Sequence, residues 1–556
     1  MSILNRTFHP DEANQAFTTG RLLETGTYSY NPQDHHGPTL YYAAAALQKA
    51  AGHGSTATLD PALLRCTPLI FAALALLLGG LAMRKIAGRT WHGLLFALLL
   101  GASPIFVFFA TDFIQEMLLA AFTMMMLWSG VEKLKGLKVE KLKGPALDVD
   151  RNSTLNPQHS NIQTLKPSKL KPGTWALLFG IAAGLAFATK ETAILTFAAA
   201  GLAGIPFLWR ARRDLRLETR DVTLSLLGFA LTATLLFSSF AANWQGVYDA
   251  FVAAPLSYIH RAAGSAASQG AAAHVHPWWQ YLEWLFFGKI AITRNPAGLH
   301  IGGTYTNVCA GAYLLTCCAI PLLFRRARQT ITPSILRWFT FLLLYTAILL
   351  ALYSAIPYKT PWCTLQIHLG YVATCYLGIL IFGELVAGFS RWLVRKDPAV
   401  RSCGWTTNPS KGRNLIVSAA TSVMVAAILL SEYVPQTIRM NRDPDSKEIP
   451  YNYASASPQV EDLASLIIES SKDSFAAIAL PPEDTWPLPF YLRSMGERVG
   501  YWTSIADLEA LARLDSKPGV VAVPAEEGHR AQALFPHLTN TRRFEMRPHV
   551  RVRVFY

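Results

Sequence analysis

Apolar residues in this chain gather in runs of about twenty rather than at the spacing of an amphipathic helix, and about twenty is the length a helix needs to cross a bilayer. Such runs lie near residues 62–83, 92–110, 113–130, 174–189, 192–209, 222–240, 303–324, 336–357, 363–387 and 415–433, each with few or no charges. The pattern predicts about ten transmembrane helices. Glu116 and Lys190 fall in or at the ends of two of these runs, where an ionised side chain is costly unless it faces a cavity or a partner.

The polar segments between the runs alternate in charge. Arg84, Lys85 and Arg89 follow the first run, and a Lys-rich stretch from Lys133 to Lys171 follows the third. Arg210, Arg212, Arg213, Arg216 and Arg220 follow the fifth, Arg325, Arg326 and Arg328 the seventh, and Arg391, Arg395, Lys396, Arg401, Lys411 and Arg413 the ninth. Short basic loops stay in the cytoplasm. The remaining segments are then expected outside: residues 1–59, the turn at Thr111–Asp112, the turn at Lys190–Glu191, the segment 241–302, the turn from Tyr358 to Trp362, and everything after Val434. An external first loop calls for a preceding helix to carry it across, so the pattern leads us to expect either an upstream span lost from this sequence or an N-terminus translocated without one, the first being favoured.

Beyond Val434 the pattern changes. Residues 434–457 read as a linker, turn-rich from Asn441 to Ala456, and 458–556 as a small α/β domain. Pro458 opens a helix to about Ser470, Ala476–Leu480 reads as a strand, and Ser504 with Asp507 resembles a capping box opening a helix to Leu514. Val520–Val523 and Val550–Phe555 read as further strands. The expected organisation is therefore an external N-terminal loop (1–59), a mainly α transmembrane bundle (60–433) with the external segment 241–302, the linker, and an extracytoplasmic α/β domain.

Composition agrees: 51% hydrophobic residues against 15% charged, with mean hydropathy +0.25, disfavours a soluble protein. The net charge of +14 is accounted for by the basic loops, so no nucleic-acid partner is expected. The seven cysteines lack metal-site spacing and read as packing residues.

Chemistry concentrates in the expected outer segments. The first reads His9-Pro10-Asp11-Glu12, then Gly26-Thr27-Tyr28, then Asp34-His35-His36-Gly37-Pro38-Thr39-Leu40-Tyr41-Tyr42. An acidic pair followed by Gly-x-Tyr and Gly-Pro-Thr-x-Tyr-Tyr resembles the GT-C membrane glycosyltransferases, including the protein mannosyltransferase and lipid A aminoarabinose transferase families. Further words, Ala188-Thr189-Lys190-Glu191-Thr192, Tyr358-Lys359-Thr360-Pro361-Trp362, Trp486-Pro487-Leu488-Pro489-Phe490-Tyr491-Leu492-Arg493 and Val499-Gly500-Tyr501-Trp502, resemble the group called flippase activity-associated proteins. The resemblance runs from His9 to about Trp502.

It implies a plasma-membrane transferase that moves a sugar from a polyprenyl-phosphate carrier to a lipid or glycan acceptor on the outer face. Asp11 matches the family's catalytic acid, with Glu12 beside it. A carboxylate in reach of the acceptor hydroxyl serves as general base, although an acidic pair after His-Pro also suits a helix N-terminus. Lys190 and Lys359 are the candidate cations for the phosphate, and Asp112, Glu191, Trp362 and Tyr41 complete the substrate-binding set. A lysine at the end of a span also snorkels to headgroups, and Trp362 suits an aromatic belt. A divalent metal is a candidate cofactor, with Asp11, His35 and His36 as candidate ligands. In the segment 241–302, Trp278, Trp279 and Trp284 suit an interfacial lid over a lipid-linked donor. The alternative reading is a non-catalytic component or partner of a lipid-linked glycan flippase, which would need a hydrophilic path through the bundle.

Overall fold

The computed structural model describes residues 6–31, 36–142, 170–210, 219–257, 274–287, 290–295, 298–303, 311, 314–316, 318, 331–396, 411–444, 446, 448–452, 455–513 and 517–556. The expected span 303–324, the alanine-rich tract 262–273, His35 and Leu514 lie wholly or mostly outside them.

The first helix, α1 (Pro10–Thr25), buries Ala13 and Ala16 against Leu64, Leu118 and Phe122 of the apolar helices. Its start is set locally: Pro10 takes the first helical position, the His9 ring accepts from the Asp11 N–H, and Glu12 returns a bond to the His9 N–H. Gly26 ends it at φ 70°, the left-handed conformation that suits glycine. After α2 (Thr39–Ala50) comes the first long apolar helix, α3 (Pro61–Ala87), capped by Asp60, whose Oδ1 accepts from Ala62 and Leu63 at 2.7 and 3.0 Å.

Among the described residues, six helices are long and apolar enough to cross a membrane: Pro61–Ala87, Glu116–Leu134, Thr219–Phe237, Pro333–Ala355, Pro361–Ser390 and Ala419–Arg442. Shorter apolar helices at Thr90–Gly101 (α4), Pro172–Phe187 (α7) and Ala193–Phe207 (within α8, Ala193–Arg210) occupy three more expected runs. The chain is a multi-pass membrane protein. The expected run 92–110 is broken into α4 and α5 (Pro104–Phe109), because Pro104 cannot continue a helix and Ser103 caps the new start. The Ser103 hydroxyl also meets His368 Nε2 at 2.8 Å, satisfying a polar pair inside the bundle. Long helices α6 (Glu116–Leu142) and α9 (Thr219–Phe237) complete the numbering used below.

The core joins α3, α4, α5 and α6 to the helices Pro333–Ala355 and Thr364–Lys396 through residues such as Leu99, Phe106, Met117, Leu342 and Tyr376. Between α7 and α9 the backbones approach closely: a Cβ on Gly180 would stand 2.0 Å from the Ser225 carbonyl oxygen, and one on Gly228 would stand 2.8 Å from that of Leu177. Small residues at this contact are what allow it.

The linker begins later than expected. The last long helix runs through Pro435 to Arg442, because its end still packs on the bundle: Met440 is buried and the Thr437 hydroxyl donates to the Ala102 carbonyl at 2.7 Å.

The C-terminal unit is α/β, with a five-stranded sheet ordered β4 (Val499–Trp502), β3 (Ala476–Ala479), β5 (Val520–Pro524), β7 (Val550–Phe555), β6 (Thr541–Arg547). β3 runs parallel to β4 and β5, while β7 is antiparallel to β5 and β6. Both faces are covered. Ile478, Val520 and Val552 pack with Leu463 and Ile467 of the helix Gln459–Ser470, and Ala477, Val521 and Val523 pack with Leu508 and Phe535 on the other side. Strands β1 (Ile290–Asn295) and β2 (Gly298–Gly303) form a separate hairpin.

Candidate functional site

Segments far apart in sequence meet in one cleft, lined by Arg6, Thr7, His9, Asp11, Glu12, Phe108, Phe109, Asp112, Ile114, Trp362, Tyr451, Asn452, Ser455 and Ala456. The start of α1 supplies the acidic pair, the α5–α6 turn supplies Asp112, the turn before Thr364 supplies Trp362, and the linker closes the remaining side.

Three carboxylates line this cleft, and their surroundings differ. Glu12 is fully buried, and each of its oxygens accepts two N–H groups: Oε1 from Arg65 Nε at 3.0 Å and Phe113 N at 2.9 Å, Oε2 from Arg65 Nη2 at 2.8 Å and His9 N at 3.0 Å. Burial alone would push its carboxyl up, but the Arg65 charge, then that of Arg6, holds it down at about 2. Asp112 forms an ion pair with Arg6, whose guanidinium also lies 4.7 Å over the Phe108 ring. Asp11 is the cleft carboxylate without an arginine partner among the described residues. Its side chain is 44% exposed, and the nearest cation candidate is the His9 ring, 3.8 Å away. His9 in turn meets Trp362 edge to face.

Near Trp362, Lys190 donates to Glu116, both buried, and its ammonium lies 5.8 Å from the centre of the Trp362 ring. The two charges that the sequence leaves in or beside apolar runs thus neutralise each other. Glu191 accepts the Tyr30 hydroxyl at 2.5 Å and meets His36 Nδ1 at 3.0 Å. Burial would raise its carboxyl, but the His36 charge and these bonds bring it to about 2. Lys359 is buried; its ammonium donates to the Ile356 carbonyl, and no carboxylate pairs with it among the described residues. Burial therefore draws its pKa down.

Residues 274–276 lie antiparallel to the Tyr358–Lys359 turn. Val275 bridges Tyr358, Lys359 N donates to the His274 carbonyl at 2.8 Å, and His276 N donates to that of Pro357 at 3.1 Å. This places His274 within electrostatic reach of Asp11 and His9. Part of the segment expected as a lid thus pairs directly with the Tyr358–Trp362 word. Trp278 and Trp279 are exposed, as an interfacial role requires, but Trp284 is buried against His276 and Tyr281 and so belongs to the core.

Of the expected site residues, Asp11, Glu12, Asp112 and Trp362 come together in the cleft, while Lys190, Glu191 and Lys359 do not line it. Tyr41 does not line the cleft. It is buried on Tyr28, and its hydroxyl joins Gln15 and Gln115. Of the metal candidates, His36 is engaged by Glu191 and His35 lies outside the described residues. No group of three or more His, Cys, Asp or Glu side chains stands ready to hold a metal ion among the described residues. Sequence reasoning missed Arg6 and Arg65. A lone arginine at the head of an apolar run was the available signal, since such a charge needs a partner.

No protein-family model matches the chain, and no curated protein matches it by sequence. Its backbone is similar to that of ArnT from Cupriavidus metallidurans bound to undecaprenyl phosphate, with a TM-score of 0.54 and 15% identity over 99% of this chain and 94% of that one. It also matches the archaeal oligosaccharyltransferase AglB from Archaeoglobus fulgidus, in complex with an inhibitory peptide and a dolichol-phosphate, at a TM-score of 0.48 and 12% identity over 95% and 67%. The fold is that of the GT-C membrane glycosyltransferases.

Proposed function

We propose that this protein is a membrane glycosyltransferase taking a sugar from a polyprenyl-phosphate carrier, with Asp11 as general base. One observation carries the reading: of the three carboxylates in the cleft, Asp11 is the one no arginine holds among the described residues, and its side chain is partly exposed. A base must be able to accept a proton, and a carboxylate with its oxygens filled by N–H donors cannot do so readily. Glu12 is filled in that sense and Asp112 is neutralised by Arg6; Asp11 is neither.

In the proposed step the acceptor hydroxyl gives its proton to Asp11 while its oxygen bonds to the anomeric carbon. The bond from that carbon to the phosphate oxygen breaks, and its electron pair leaves with the phosphate. Positive groups stabilise the charge that develops there. Lys359, which no carboxylate neutralises among the described residues, is the candidate; Lys190 is already neutralised by Glu116 and Arg6 by Asp112. ArnT, whose fold this chain shares, binds undecaprenyl phosphate, which supports a polyprenyl carrier. Glu12, Glu191 and Lys190 hold the loops in place. The acceptor is a lipid or glycan hydroxyl on the outer side of the membrane.

The test is Asp11→Asn. Transfer of sugar from the carrier should fall by at least about a hundredfold, with insertion and thermal stability retained, and the sugar-loaded carrier should accumulate in cells as read by mass spectrometry. A variant that transfers at the wild-type rate would remove Asp11 from the chemistry.

A further inference from the structure

The word from Trp486 to Arg493 lies in the C-terminal unit and contributes nothing to the cleft lining, yet it touches the structures that hold the acidic pair. Phe490 stacks on Phe8 with centroids 4.3 Å apart and planes 13° apart. The Arg65 guanidinium lies 4.4 Å from the Phe8 ring, and the Arg493 guanidinium 4.2 Å from the Phe490 ring. The result is a continuous column, Arg493, Phe490, Phe8, Arg65, of a kind favoured by the negative faces of aromatic rings. Phe8, Phe490 and Arg65 are each at most 2% exposed, so little water weakens these contacts.

Two hydrogen bonds run beside the column. The Tyr491 hydroxyl accepts the Phe8 N–H at 2.8 Å and reaches Glu461 at 3.4 Å. Arg493 Nη2 donates to the Leu59 carbonyl at 2.8 Å, next to the cap of the helix that carries Arg65. Arg65 also holds the segment 6–9 before α1, donating to the carbonyls of Arg6 at 2.6 Å and Thr7 at 3.3 Å. This segment ends at His9, the cap of α1, two residues before Asp11.

We infer that Phe490 and Tyr491 are positioning residues: the C-terminal unit clamps residues 6–9 and thereby sets the Glu12–Arg65 pair and the direction of Asp11. The inference takes the transferase reading of Asp11 as its starting point. Removing the Tyr491 hydroxyl leaves the buried Phe8 N–H without its acceptor, and removing the Phe490 ring takes away one side of the Phe8 stack. Either change frees residues 6–9 without touching a group that meets substrate. A base displaced by a fraction of an ångström slows the chemical step more than it weakens binding.

The test uses the full chain in lipid nanodiscs, with Tyr491→Phe, Phe490→Leu, the aromatic rescue Phe490→Tyr, and Arg530→Ala as a control on the far surface of the same unit. Amide hydrogen exchange over residues 6–16 should quicken about tenfold in the first two variants and stay at wild type in the other two, with residues 61–87 unchanged throughout. The turnover number for sugar transfer should fall about tenfold, while KM for the lipid carrier stays within about twofold. Unchanged exchange over 6–16, faster exchange shared by 61–87, or faster exchange with an unchanged turnover number would each overturn the proposal. Tyr491→Phe removes a single oxygen and carries the test should Phe490→Leu fold poorly. A wild-type protein that transfers no sugar at all would refute the transferase reading instead, and the exchange measurement would still decide whether the clamp exists.

Discussion

Asp11 and Glu12 adjoin in the sequence and part company in the structure, because an α-helix sends neighbouring side chains about a quarter-turn apart. One is partly exposed in the cleft; the other is buried and meets Arg65. The Glu12 carboxyl falls from 4.5 to about 2. A lowered carboxylate pKa stabilises the fold above the ordinary value, and that stability is lost as pH falls from about 4.5 towards 2. At roughly 1.4 kcal/mol per pH unit the contribution is about 3 kcal/mol. Glu12→Gln should therefore flatten the acid limb of the stability curve. It should also cost about 3–5 kcal/mol at neutral pH, since Arg65 is left buried without its partner; thermal melts from pH 7 downward would check both, and an unchanged acid limb would count against the pairing. Lys359 presents the opposite sign. Its pKa is drawn down by burial, so its charge disappears at a lower pH than an ordinary lysine's, and transfer should decline as pH rises through that value. Lys359→Gln should raise KM for the carrier by about tenfold or more, the worth of a lost bond to a charged phosphate, and should remove this alkaline limb. An unaltered KM would exclude Lys359 from carrier binding.

Much at the scale of elements was legible beforehand because long apolar runs admit few alternatives in lipid. Expected runs reappear as α3, α6, α9 and the helices starting at Pro333, Thr364 and Lys411. The capping box at Ser504–Asp507 and the strands at Ala476, Val520 and Val550 also stand where local pattern put them. What escaped was set by partners. β6, with the sequence TRRFEMR, carries three arginines, yet it alternates so that Phe544 and Met546 face inward at the sheet edge. The helix past Pro435 persists because Met440 still packs on the bundle, and no local signal announces that. Likewise, the α7–α9 approach depends on glycines whose reason appears only when the two helices are seen together. Gly180→Leu should push them apart, costing about 1–3 kcal/mol or more of stability, because the side chain would meet the Ser225 backbone rather than a movable group. A melting temperature unchanged by this substitution would show that the helices tolerate a wider spacing.

At the scale of the whole molecule, residues that the charge rule assigns to the outside converge on one end of the bundle. The cleft takes Asp11 from the first segment, Asp112 from the second turn, Trp362 from the turn after the helix Pro333–Ala355, and Asn452 from the linker, and the C-terminal unit docks on α1 through Phe490 and Tyr491. The types of residue in that cleft were readable from separated words; which acid stays open was not, because it depends on two arginines that meet the acidic loop only after folding. Convergence at one end is what a transferase needs if carrier phosphate and acceptor are to meet at a single membrane face, and the opposite end carries the basic turn at Arg84, Lys85 and Arg89. Basic turns of this kind remain in the cytoplasm, so the cleft should open outward. Single cysteines at Ala51 and Arg530, both exposed, should react with a membrane-impermeant maleimide on intact cells once the seven native cysteines are replaced. A cysteine at Arg89, also exposed, should react only after the membrane is opened. The reverse pattern would place the acidic loop in the cytoplasm, where an outward-facing lipid-linked sugar cannot reach Asp11, and the proposed donor would have to be abandoned along with the orientation.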